Sequence, residues 1–196
     1  MSSKTSGLQG LSKLVLGAAL MAGMYAQAED APMLESARKV ASEMPVKLQA
    51  MLQDEIAKGG LASAVAACSE KAPKMAKAAS EKTGWAIRRV SLGNRNPKAV
   101  PDAWERTALE DFDRRKAAGE AVATLEKYAE VDTGGRKEFR YMKALQMQKA
   151  CLACHGAADT IAPEVAEKIH TLYPDDKATG YVEGQLRGAI TMRRFE

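Results

Sequence analysis

Phe139-Arg140-Tyr141-Met142-Lys143-Ala144-Leu145-Gln146-Met147 runs, three residues on, into Cys151-Leu152-Ala153-Cys154-His155-Gly156. In the first stretch Phe139, Tyr141, Lys143, Leu145 and Met147 alternate with Arg140, Met142, Ala144 and Gln146, which is the two-residue period of a strand. Asp132-Thr133-Gly134-Gly135 just before it has turn composition. Residues 121–131 and 138–147 are therefore predicted to form a β-hairpin, although 121–131 can also be read as helix. The second stretch is Cys-x-x-Cys-His, the attachment signature of c-type haem. Its two thiols add to the haem vinyl groups as thioethers, and the adjacent imidazole becomes the proximal iron ligand. A zinc site can carry the same spacing, so compartment and ligand supply must be weighed.

Compartment is read from the N-terminus. Residues 1–28 hold no acid, two lysines (Lys4 and Lys13) and an apolar run from Leu14 to Tyr25, and they close on Ala26-Gln27-Ala28. This is the layout of a cleaved secretory signal peptide, with an apolar run too short to span a bilayer. No later segment is long and apolar enough to do so. The expected product is periplasmic, residues 29–196, a single domain of 168 residues. Export agrees with covalent haem attachment and with the cysteine count. Of three cysteines, Cys151 and Cys154 would be consumed as thioethers, leaving Cys68 without a disulfide partner. Without the leader the chain has 27 basic and 25 acidic residues, a charge of +2 that points neither to nucleic acid nor to an anionic membrane surface.

Upstream of the hairpin the pattern is helical. Leu34, Ala37, Ala41, Met44, Leu48, Met51 and Glu55/Ile56 make one stripe over 33–58, with a kink or a new first turn expected at Pro45. Gly59-Gly60 is a stop. An alanine-rich helix over 61–80 follows, with Pro73 expected to kink it and Cys68 on its inward face. Trp85–Leu92 reads as a strand, Gly93–Pro97 as a turn, and Asp102 with Glu105 as a capping box opening a helix that ends before Gly119. After the cysteine motif, Val165 and Ile169 indicate a short helix behind Pro163, and Leu186–Phe195 a last strand. Helices first and antiparallel strands after imply an α+β fold.

The whole set resembles a known family. Cys68-Ser69-Glu70-Lys71-Ala72-Pro73, Arg89-Val90-Ser91-Leu92 with Arg95-Asn96-Pro97, and Trp104-Glu105 come in the family's order. Phe139-Arg140-Tyr141, the Cys151–Gly156 motif, Tyr173-Pro174-Asp175, Gly180-Tyr181 and Arg187-Gly188-Ala189-Ile190 continue it. The chain is similar, over about residues 34–195, to secreted single-haem c-type proteins with a PAS-like fold, a domain also found as the extracellular sensor of bacterial receptors. The resemblance implies N-terminal helices packed on an antiparallel sheet, with the haem attached in a loop after a central strand. It also implies an iron held by His155 and, from the other side, by Cys68. No kinase, cyclase or methyl-accepting output segment is expected within the sequence.

Without the resemblance, Cys68 reads as a small buried hydrophobe, and His170 or one of seven mature-chain methionines competes as sixth ligand. With it, a thiolate ligand would favour ferric iron and give a low potential, and release of Cys68 on reduction would act as a switch. Arg140 and Arg187, in matched strand motifs, are the propionate candidates, with Arg88, Arg89 and Arg95 as alternatives. Trp85, Tyr141 and Tyr181 are candidates to pack on the porphyrin. The reading is a binding or electron-transfer protein, acting in redox or small-ligand sensing (a gas such as nitric oxide) or passing single electrons to a partner protein. The alternative is a peroxidase-like enzyme with an open distal site, for which only His170 is left as a second imidazole.

Overall fold

The computed structural model describes residues 15–195, with side chains from residue 31 onward. The expected leader lies outside the described residues up to residue 14, and its side chains lie outside them throughout. The described residues divide after Ser36 into two units. What is described of the first is helical from Val15. Among the described residues no helix is long and apolar enough to cross a membrane.

The second unit, from Ala37, is α+β. Helix α1 (Val15–Thr83) loses helical dihedrals only at Gly59 and Gly60. Lys71 Nζ lies 2.5 Å from Glu55 Oε1, although sixteen residues of straight helix would separate them by about 24 Å. The helix therefore doubles back at the glycine pair into two arms, 37–58 and 61–83. The expected breaks at Pro45 and Pro73 do not occur, and both prolines stay inside the helix. A proline forfeits one hydrogen bond but keeps a near-helical φ, whereas Gly60 turns to φ +72°, a conformation open to glycine without penalty. On the first arm Ala37, Ala41, Met44 and Glu55 are buried as the stripe requires, while Ile56 is exposed.

Four strands follow: β1 (Ala86–Val90), β2 (Glu126–Asp132), β3 (Lys137–Gln146) and β4 (Leu186–Phe195). They form one antiparallel sheet in the order β1-β4-β3-β2. The predicted hairpin is β2–β3, but residues 122–124 form a 3-10 turn, so β2 begins only at Glu126. Strand β1 is shorter than the predicted 85–92. Helix α2 (Ala103–Ala117) opens on the predicted capping box, Glu105 N donating to Asp102 Oδ1 at 2.9 Å and Asp102 N to Glu105 Oε2 at 2.8 Å. Helices α3 (Leu152–His155) and α4 (Pro163–Leu172) lie between β3 and β4.

Strand alternation sorts the two sheet faces. Val90, Met142, Ala144 and Ala189 share a core with Leu109 and Phe112 of α2. Arg88, two residues before Val90, pairs with α2's Glu105. Arg89 must then point to the opposite face, the one α1 serves: Tyr141 there donates its hydroxyl to Glu126 at 2.8 Å, and Glu126 accepts from Arg38 Nε of α1 at 3.0 Å. Glu105, 2% exposed, also takes the Thr191 hydroxyl at 2.9 Å and faces Arg140 at 3.5 Å, so one buried carboxylate ties α2 to β1, β3 and β4.

Candidate cofactor site

The segment after β3 delivers the cysteine motif. Cys151 is exposed at the end of a 3-10 turn, and the single helical turn α3 presents Cys154 and His155, both half-buried. A short ladder fastens this turn to the segment before β4. Gly180 N donates to Gly156 O at 2.7 Å and Tyr181 N to His155 O at 2.9 Å. Gly156 has no room for a side chain, since a Cβ would stand 2.7 Å from Leu152 O. Arg95 locks the same junction from the β1 side. Its Nε and one terminal nitrogen take both oxygens of Asp176 at 3.0 Å, and that nitrogen also donates to Cys154 O at 2.6 Å and Ala178 O at 3.3 Å.

His155 is set as a ligand by this frame. Its Nδ1 lies 2.6 Å from Ala178 O. A carbonyl only accepts, so Nδ1 carries the proton and the Nε2 lone pair is left for a metal. Burial, helped by the charges of Arg187 and Arg95, pushes the imidazole pKa down to about 2. The ring is therefore neutral across the physiological range. Tyr181 meets it edge-on, with ring centroids 6.4 Å apart.

Cys68 arrives from the second arm of α1. That arm, α4 and the motif share one apolar cluster, in which Val65, Ile161, Val165, Ile169 and Tyr173 pack with Leu61 and Cys154. Burial raises the Cys68 thiol pKa, opposed chiefly by the charge of Arg89. Burial likewise raises Cys154. Two thiols, an imidazole and a third thiol from another element are a donor set that could hold a haem. They do not converge as a tetrahedral zinc site would: among the described residues no group of three or more His, Cys, Asp or Glu could hold a metal ion.

The arginines divide by face. Arg187, 6% exposed, donates to Ser91 Oγ at 3.0 Å and Gly93 O at 3.1 Å, and lies 5.2 Å over the Tyr181 ring. Burial, and then the charge of Arg89, lowers its pKa to about 9. Its Nε and that of Arg89 are withdrawn from water without a hydrogen-bond partner. No hydrogen bond or ion pair to the Arg89 guanidinium is found among the described residues, and burial lowers its pKa too. Arg140, expected at the propionates, is engaged elsewhere. It pairs with Asp102 at 2.5 Å and lies 4.6 Å over Trp104. The reason is parity: Arg140 shares the phase of Met142 and Ala144, hence the α2 face, whereas Arg89 has the opposite phase on β1. Arg89, named in the sequence only as an alternative, is thus the buried guanidinium on the face opposite α2.

The other candidates separate similarly. Tyr181 stands beside His155, but Trp85 packs edge-on against Phe139 at 6.0 Å and Tyr141 serves Glu126. His170 is exposed in the last turn of α4. Met44, Met142, Met147 and Met192 are buried core residues.

The profile of the family described as "Tll0287-like: Tll0287" matches residues 22–194. Among solved structures the chain is similar to the crystal structure of the cyanobacterial heme-protein Tll0287. The identity is 26% over 84% of this chain and 93% of that chain, with a TM-score of 0.55. No curated protein matches the chain.

Proposed function

The chain belongs to the Tll0287-like family, and from that membership we propose that it is an exported haem-binding protein. Cys151 and Cys154 would bond one haem c and His155 and Cys68 would hold its iron, for redox or small-ligand sensing or single-electron transfer in the periplasm. The resemblance to a PAS-like sensor domain belongs to this proposal, and so does the cleavage of residues 1–28. When bound, the haem supplies a one-electron couple and, where a coordination position opens, a site for a diatomic ligand.

The observation that carries the reading is that, of three buried guanidinium Nε atoms without a hydrogen-bond partner, two, on Arg89 and Arg187, lie beside the donor set, the third being that of Arg140 on the α2 face. Buried polar groups are normally satisfied, and two buried like charges call for anions. The two carboxylates of a haem fit that demand, each guanidinium offering a planar fork. The remaining residues prepare the site. Ala178 O fixes the His155 tautomer, Arg95 and Asp176 hold the turn that bears both motif donors, and α1 supplies Cys68. Burial keeps the free Cys68 thiol protonated, so binding a metal requires that proton to leave.

The test is a haem-stained denaturing gel with ferric and ferrous absorption spectra of the exported protein and of Cys68→Ser. Covalent stain, with a thiolate-type ferric spectrum lost in the variant, is the expected result. An unstained band overturns the haem c reading, and a spectrum indifferent to Cys68→Ser overturns the ligand assignment alone.

A further inference from the structure

The carbonyl that holds the His155 proton has a second donor. Ala178 O lies 2.6 Å from His155 Nδ1 and also accepts from Arg95 Nη2 at 3.3 Å. That nitrogen carries two hydrogens and faces three acceptors, Cys154 O at 2.6 Å, Asp176 Oδ2 at 3.0 Å and Ala178 O. Ala178 O therefore shares a hydrogen with one of the others. Asp176 closes the frame from the far side: its Oδ1 accepts from Arg95 Nε at 3.0 Å and from the Ala178 N–H at 2.9 Å. Of the two charges, only the cation touches the carbonyls on either side of the ring. Ala178 is buried, and the Arg95 and Asp176 side chains are 10% and 11% exposed, so water and salt screen this pair little. A carbonyl oxygen polarised by a guanidinium has less electron density to offer the imidazole N–H. The more loosely the Nδ1 proton is held, the less basic is the ring's other nitrogen.

We infer that Arg95 and Asp176 are positioning residues that set the donor strength of His155 Nε2 in opposite directions, Arg95 lowering it and Asp176 restoring it by neutralising Arg95. This rests on the haem reading, in which Nε2 is the atom that holds the iron. Arg89 and Arg187 are assigned there to the haem's own carboxylates, whereas Arg95 keeps its partner within the chain. A stronger nitrogen donor favours ferric iron, which carries one more positive charge than ferrous. A cation beside the ring disfavours that charge by direct repulsion as well. The two effects of Arg95 therefore share one sign, and Asp176 opposes both.

The experiment is redox titration of the exported protein, followed by its absorption spectrum, for the wild type, Arg95→Gln and Asp176→Asn, each first checked by haem stain. Arg95→Gln leaves an anion in the frame and should lower the midpoint potential. Asp176→Asn leaves a cation there without its neutralising partner and should raise it. Each ferric–ferrous equilibrium constant should move by about tenfold, which is about 59 mV for one electron. Loosening of the motif alone would move both variants the same way, so opposite signs separate tuning from disruption. Shifts of one sign in stained variants, or shifts under about twofold, overturn this inference and leave the haem reading standing. If Arg95→Gln does not accumulate, Asp176→Asn decides by itself: a rise supports the inference, and a fall or no change overturns it. A wild type that takes no haem stain overturns the haem reading and this inference together.

Discussion

Replacing Arg95 by methionine removes the lock that joins the cysteine motif to the 176–178 segment. Arg95 and Asp176 are 10% and 11% exposed at their side chains, so their pairing is only slightly screened. Loss of one partner from a buried ion pair destabilises by about 3–5 kcal/mol, because the other charge stays buried. The carbonyl of Cys154 also loses its charged donor at 2.6 Å, a bond of about 1.5–3 kcal/mol. These terms overlap, since methionine fills part of the space, and we expect a net loss of about 4 kcal/mol. Against a typical stability of about 5–15 kcal/mol this is a large fraction. Urea unfolding of the wild type and Arg95→Met at neutral pH measures it, with Asp176→Leu and the double variant completing a cycle. The double variant should recover at least about 1.5 kcal/mol, because two apolar groups replace a buried pair more cheaply than one stranded charge. A single Arg95→Met loss under about 1 kcal/mol, or strict additivity in the cycle, would refute the reasoning.

Glu105→Leu should lower stability by about 3–5 kcal/mol, since Arg88, Arg140 and Thr191 all lose one buried carboxylate; denaturant midpoints check this, and a change within 1 kcal/mol would contradict the hub. Gly188→Ala should be poorly tolerated: φ is +124° there and a Cβ would stand 2.3 Å from Val90 O, so thermal melting should show a loss of about 3 kcal/mol or more. Glu126, whose carboxyl pKa is lowered chiefly by the hydrogen bond from Arg38, binds its proton less readily folded than unfolded. Its contribution is therefore complete above pH 4.5, the ordinary value, and fades as pH falls through the folded pKa. Glu126→Gln should flatten the acid limb of the stability–pH curve by about 1 kcal/mol while changing little of its shape above pH 6, and an unchanged acid limb would oppose this.

Much of the fold was legible because local chemistry and tertiary need agree. The Asp102/Glu105 box, the β2–β3 turn glycines and the limits of β4 are each dictated by a pattern a few residues long. The stop at Gly59-Gly60 was legible, because a glycine pair supplies the positive φ that a helical hairpin needs, whereas Pro45 and Pro73, strong signals alone, stay inside the helix. The face that Arg140 occupies was not legible for a different reason. Alternation reveals that a strand has two faces but not which helix covers which, so Arg89 and Arg140 look equivalent until α1 and α2 are placed. Cys68 has no local mark separating it from a packed hydrophobe, and only the order of motifs across the chain singled it out.

Arg88 and Arg89 are chemically identical neighbours given opposite employment by the pleat of β1. Losing one residue inside this five-residue strand would exchange them, turning a charge into the α2 core and an aliphatic side chain toward the three cysteines. Losing two would keep the phase. Changes of length within this strand should therefore be tolerated in pairs before they are tolerated singly.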